Sequence, residues 1–413
     1  MRIVKQRLLE MLPDALVFLD VDDLQVGRGA EYLDKSAVVL ILVSEGYFNS
    51  PNCMRELLRA FVTGKPIVVL AEPDSKKGGM TSEQVMQQLR EAEAPYKKHG
   101  EEFPSKYVMW GLAREVEGWG YHMPSADVLH TALFDVEPIE WIRIGKFQDV
   151  SMRLIAEAIL PEPLDEGTYL QGELSRVVPT LPAPRDGCSY HVYCSTCNAG
   201  AAELMREAAA QCNLRIAITE NADDLGESER MLVYLTGLTW TSGEATVAFV
   251  EQIKRAMAAN VPLLLCHEMP GIGGQTARHA CDFDLFFSNT QGATPQELLS
   301  ANIYSTIAVP LKGGAWRAVS MVMVSQALGA SIDAGNWAPP GIQAEISGYA
   351  QYATARRQME ARSKAPAMTW LTRRLISLPV SRDAHRLKEL MPPHIEETKP
   401  HTGEASLIRK IGV

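Results

Sequence analysis

Short apolar runs alternate along the first 160 residues with stretches whose apolar positions recur at helical spacing. The runs "ALVFLDV" (15–21), "AVVLILVS" (37–44), "PIVVLAE" (66–72) and "IEWIRI" (139–144) predict strands, and residues 3–11, 53–62, 82–93 and 150–160 predict helices. Strands with so few polar positions belong to a parallel sheet covered on both faces. Strand and helix in alternation therefore predict an α/β unit over residues 1–160.

Residues 161–187 hold five prolines and no sustained apolar period, the pattern of a linker. The alternation then resumes. Strands are predicted at 189–195, 214–219, 230–237 and 261–268, and helices at 201–211 and 247–259. The two stretches also correspond to each other. "LILVSEGYFNSPNCMRELLRAFVTGKPIVVLAEPD" aligns with "LVYLTGLTWTSGEATVAFVEQIKRAMAANVPLLLCHEMP". Their closing segments, 139–160 and 303–328, each run strand, turn, Val-Ser-Met, helix. The pattern thus predicts two tandem α/β units, 1–160 and 188–330. Residues 331–413 mix prolines with basic amphipathic pieces and read as a partly ordered tail.

Composition narrows the function. A formal charge of −10 gives no general attraction to nucleic acid, which is not expected as a partner. No apolar run approaches the roughly 18 residues of a membrane span, and the first residues lack the apolar block of a secretory signal, so a cytoplasmic protein without a transmembrane segment is expected. Seven cysteines at irregular spacing fit reduced thiols.

Around Glu56 a more specific pattern emerges. A strand ending Leu19-Asp20 is followed by Asp23-Leu24 and Gly27, then Leu33 and Ser36. Next come the strand 38–44, Tyr47, Ser50, Cys53, Glu56 and Leu57. This ordered set resembles the TIR domain, the Toll/interleukin-1 receptor and resistance-protein module. The resemblance is strongest over residues 1–72. It implies two flavodoxin-like, TIR-like parallel-sheet units, the second a divergent copy in which Gln252 stands opposite Glu56. The family fold opens with a central strand and a polar loop, whereas this chain opens on the predicted helix 3–11.

The resemblance further implies a signalling role, as in innate immunity, through self-association and contact with other TIR-domain proteins. Catalytically active members cleave the nicotinamide–ribose bond of NAD, which would be substrate here, with no permanently bound cofactor and no metal. It assigns the catalytic carboxylate to Glu56, where negative charge would stabilise an oxocarbenium-like ribose. Gly27 and Arg28 fall in the loop over the pocket, and Ser44, Tyr47 and Cys53 in its wall. Two alternatives stay open. Glu56 is also the kind of residue that a helix dipole favours near its start, and a non-catalytic adaptor would keep the same pattern.

Other motifs are less specific. Cys194-Ser-Thr-Cys197, between a predicted strand and helix, suggests a dithiol pair, or with His191 and Cys188 a zinc site. "PGIGGQT" (270–276) has the glycines of a phosphate loop without its lysine and reads as a turn. The remaining histidines and the tryptophans read as surface or packing residues.

Overall fold

The computed structural model of the chain describes residues 1–12, 15–18, 33–160, 173–271 and 275–332. All lie in the first of two compact units, Met1–Lys364 and Ala365–Val413. The part of the predicted tail beyond residue 332 is outside the described residues, as are residues 161–172 of the proline-bearing stretch.

The architecture is mixed α/β with parallel sheets. The first half runs α1 (Arg2–Met11), β1 (Val39–Val43), α2 (Pro51–Val62), β2 (Ile67–Ala71), α3 (Ser82–Glu93), the hairpin β3 (Tyr96–Lys98) and β4 (Glu101–Phe103), α4 (Ala126–Phe134), β5 (Ile139–Glu140) and α5 (Gly145–Ile159). Two short helices precede α4. The second half runs β6 (Val192–Cys194), α6 (Ala201–Gln211), β7 (Ile218–Thr219), β8 (Met231–Leu235), α7 (Glu244–Ala258), β9 (Leu263–Glu268), β10 (Val309–Leu311) and α8 (Arg317–Ala327). In the first sheet β1, β2 and β5 are parallel neighbours; in the second the parallel order is β7-β6-β8-β9-β10. Among the described residues no helix is long and apolar enough to cross a membrane.

Helix starts follow side-chain caps. The Ser50 hydroxyl accepts the Cys53 N–H and Pro51 takes the first helical position, so α2 begins two residues before its apolar period. Thr81 and Gln84 form a reciprocal capping box that starts α3 at the predicted residue. Some predicted strands are shorter than their apolar runs. Strand 139–144 is a strand only at Ile139 and Glu140; Trp141 N–H still donates to the Ala71 carbonyl at 2.8 Å, and the Ile144 carbonyl already accepts from Phe147 and Gln148 as α5 begins. Strand 214–219 pairs only at Ile218 and Thr219. Residues 15–18 carry no strand, and the rest of that run is outside the described residues.

One apolar core is shared by both halves. Val4 and Leu8 of α1 and Val150 and Met152 of α5 join Leu204 and Met205 of α6 and Val319 and Met321 of α8. Each half adds a separate core on the far face of its sheet. The repeated Val-Ser-Met lies in the shared layer. Ser151 donates to the Glu140 carbonyl at 2.8 Å, and Ser320 accepts the Lys312 N–H at 2.9 Å, so each serine ties its helix to the strand before it. Phe147 and Trp316, each three residues before that motif, meet: Trp316 Nε1–H donates to the Phe147 carbonyl at 3.1 Å. Beside them Lys312 pairs with Glu140 at 2.8 Å, both nearly excluded from water.

The described part of the proline-bearing stretch is fastened to this body. Glu173, fully buried, accepts from Arg153 Nε of α5 at 2.9 and 3.0 Å, and Thr180 bridges to Ser331.

Because Trp316 is fully buried in the shared layer, Trp316→Ala should cost about 3–5 kcal/mol. Its denaturant transition should move in both halves together, read from far-ultraviolet circular dichroism and from the fluorescence of Trp110 and Trp119. A first half whose transition stayed in place would refute the shared core.

Candidate functional site

At the carboxyl end of β1 the chain turns through Ser44 and Tyr47 into α2. Tyr47 N–H donates to the Ser44 carbonyl at 2.9 Å, and the Tyr47 carbonyl accepts from Ser50 at 3.2 Å. The turn sets Tyr47 against the start of α2, over the core that buries Met54, Leu57 and Leu58. Tyr47, Cys53 and Glu56 are brought together there. Burial first, and then the neighbouring Cys53 and Glu56, hold the Tyr47 phenol well above its ordinary pKa, so it remains a neutral hydrogen-bonding group beside the carboxylate. Ser44, Cys53 and Glu56 are each half-buried. Gly27 and Arg28 lie outside the described residues.

Ionic clamps fix the rest of α2. Arg55 grips Glu115 at 2.7 and 2.8 Å, and Arg59 grips Asp34 at 3.0 and 2.8 Å while its guanidinium lies over the Trp119 ring. Arg55 also donates from Nη1 to Asn52 Oδ1 at 3.0 Å in the first turn of α2, so the helix that carries Glu56 is a rigid element.

No family model, curated protein or solved structure matches the chain. Both halves run strand, helix, strand through the aligned segments. In the second half the residue matched to Glu56, Gln252, accepts a hydrogen bond from Tyr193 Oη at 3.0 Å. Tyr193 belongs to β6 and is buried in the second half's own core. An amide in this place carries no charge with which to stabilise a cation.

The dithiol reading of Cys194 and Cys197 meets a physical obstacle. Burial, then Glu220, pushes the Cys194 thiol up to about 12, the reverse of what a redox pair needs. His191 is engaged at both ring nitrogens, Nε2 with the Pro182 carbonyl at 2.8 Å and Nδ1 with the Ala217 N–H at 2.9 Å. Among the described residues no group of three or more His, Cys, Asp or Glu is placed to hold a metal ion.

The sequence reading missed a charge arrangement that both halves share. Glu72 and Glu268 end the aligned strands "PIVVLAE" and "VPLLLCHE", and both are buried. Arg143 Nε donates to Glu72 at 2.7 Å, while Arg317 Nη1 and Tyr234 Oη donate to Glu268 at 2.7 and 2.8 Å. Arg317 also grips Glu207, whose carboxyl burial pushes up but Arg317 and Arg278 bring below the usual range. The signal was a glutamate closing each apolar strand of the repeat; its arginine partners, 71 and 49 residues away, were not legible.

Next to this network, a cavity of about 370 Å³ opens at the strand ends, lined by Gly237, Pro270, Gly271, Gln275 and His279 among others. Gly271 has φ 139°, and a β-carbon there would collide with the ammonium of Lys312, so the "PGIGGQT" turn needs glycine at that position. Gly273 and Gly274 lie outside the described residues.

Two outcomes are expected. Cys194 should resist iodoacetamide at neutral pH in the folded chain, with a thiolate fraction roughly 10³-fold below a free thiol of pKa ~8.5, and should label once the chain is unfolded; peptide mass mapping reads both. Arg317→Met leaves Glu268 buried without its cation and should cost about 3–5 kcal/mol in denaturant unfolding. Since the folded Glu207 value is depressed, its contribution is complete above the unfolded carboxylate range and drains as pH falls through the folded value. The variant should lose that part of the acid dependence.

Proposed function

We propose that this chain is a TIR-type signalling protein, built from two tandem flavodoxin-like units, that acts through self-association and contact with other TIR-domain proteins. Its enzymatic output is hydrolysis of NAD to nicotinamide and ADP-ribose at Glu56. The observation that carries the reading is the convergence of Tyr47, Cys53 and Glu56 at the carboxyl end of β1, the end of a parallel strand at which α/β sheets take their ligands. The strand order of the second sheet, second-first-third-fourth-fifth along the chain, supports the flavodoxin-like part.

In this mechanism the bond between the nicotinamide nitrogen and ribose C1′ breaks, and its electron pair leaves with neutral nicotinamide. The Glu56 carboxylate stabilises the positive charge that develops on the ribose. Water then attacks C1′ and loses its proton to Glu56. Tyr47, kept neutral, donates or accepts a hydrogen bond at the pocket wall without adding a second negative charge.

A second reading, a non-catalytic adaptor that binds protein partners through the same surfaces, is favoured by the second half, where Gln252 is held by Tyr193 in the place of the carboxylate. Nicotinamide release from NAD by concentrated protein, with and without a crowding agent, separates the two. The enzyme reading expects release that falls about 10²–10⁴-fold in Glu56→Gln at unchanged circular dichroism. No release from folded, assembled protein would leave the adaptor.

A further inference from the structure

The proline-bearing stretch does more than connect the halves. From Thr180 to Arg185 it runs as a strap along the amino ends of the second sheet, the opposite end from the strand-end cavity at Gly271. Three sets of hydrogen bonds hold it. Thr180 and Ser331 exchange backbone bonds at 2.9 Å, the Pro182 carbonyl accepts from His191 Nε2 at 2.8 Å, and the Arg185 N–H donates to the Glu229 carboxylate. Between strap and sheet lies a cleft of about 210 Å³. On the sheet side His191 leads into β6, Arg230 into β8 and Pro262 into β9, while Leu328 and Gly329 follow the end of α8.

One cationic donor in this cleft is unsatisfied. Arg230 Nε is shielded from water, and among the described residues nothing accepts its hydrogen. The neighbouring carboxylate, Glu229, is taken by the strap instead. A buried N–H without an acceptor is costly, and more so on an ionised group. The charges around it decide what satisfies it. Arg185, Arg230 and Glu229 line the cleft, two cations against one anion, which leaves one positive charge to balance. His191 adds none in this arrangement, because its Nδ1 accepts the Ala217 N–H at 2.9 Å and only Nε2 bears a hydrogen. The side chains of Leu181, Pro262 and Leu328 supply apolar wall.

We propose that this cleft is a binding site for a small monocarboxylate with a short apolar body. The carboxylate lies side-on to Arg230, one oxygen on the Nε–H and the other on the adjacent Nη–H, the fork that guanidinium and carboxylate share. The body rests against Leu181, Pro262 and Leu328. A dianion such as phosphate brings more negative charge than the cleft balances, and it sets polar oxygens against those walls. Because the strap forms one side of the cleft, the ligand also ties residues 180–185 to the sheet. The site is separate from Glu56 and does not depend on that residue being catalytic.

The probe is isobutyrate, titrated into the full chain and followed by NMR at the Arg230 Nε–H, a signal assigned by its disappearance in Arg230→Gln. A saturable shift of that signal is expected. Isobutyramide, the same body without the charge, should bind the unaltered chain at least about tenfold more weakly, and so should inorganic phosphate. Arg230→Gln, at unchanged circular dichroism, should lose at least about tenfold in affinity for isobutyrate, read from the methyl signal of the ligand. The amide comparison keeps the test independent of how the variant folds. No saturable shift would overturn the proposal and leave water as the acceptor of the Nε–H. Isobutyramide or phosphate binding as tightly as isobutyrate would also overturn it, as would an affinity unchanged in Arg230→Gln.

Discussion

The rest of the molecule depends on a single buried layer between its two halves. α1 and α5 cannot hide Val4, Leu8, Val150 and Met152 without α6 and α8, and the reverse is equally true. Apolar burial is non-directional, so it does not by itself choose how the helices meet. Directional groups within the layer do. The indole N–H of Trp316 donates to the Phe147 carbonyl, and the Lys312 ammonium pairs with the Glu140 carboxylate. A buried pair of this kind adds little net stability over an apolar replacement, but losing one partner is costly, so misregistered packings are penalised.

The same logic holds the carboxyl ends of the strands, where the candidate chemistry lies. Glu72 and Glu268 close the two aligned strands, and each is anchored by an arginine from the last segment of its own half. Gly271, which lines the strand-end cavity of the second half, lies against the buried Lys312 that pairs with Glu140. In the first half, the clamps from Arg55 and Arg59 hold α2 and so fix the ground on which Glu56 stands beside Tyr47.

Much of this was legible in the sequence because it is local. Apolar runs marked the long strands, and helical spacing with Ser50-Pro51 and Thr81…Gln84 marked α2 and α3. The grouping of Tyr47, Cys53 and Glu56 was also legible, since a tight turn and one helical turn separate them. What failed to show depends on distant partners. Strand 139–144 is shorter than its apolar run, whose last residue, Ile144, serves as acceptor to a helix start. Cys194 looked like half of a redox motif until its neighbours buried it and raised its thiol. The arginines of the strand-end clamps had no spacing rule to reveal them.

The hydrogen bond from Trp316 to Phe147 spans 169 residues of chain, and that separation sets a schedule for biosynthesis. At the usual ~5–20 residues per second, the ribosome needs about 8–35 s between the two partners. Throughout that interval Val150 and Met152 have no second half to cover them. The first half must therefore wait on the ribosome with an apolar face open to water, a window in which a chaperone or a neighbouring nascent chain competes with the correct mate. Synonymous codons downstream of residue 160, which slow or hasten elongation, thereby become determinants of yield for a protein whose amino-acid sequence they leave untouched.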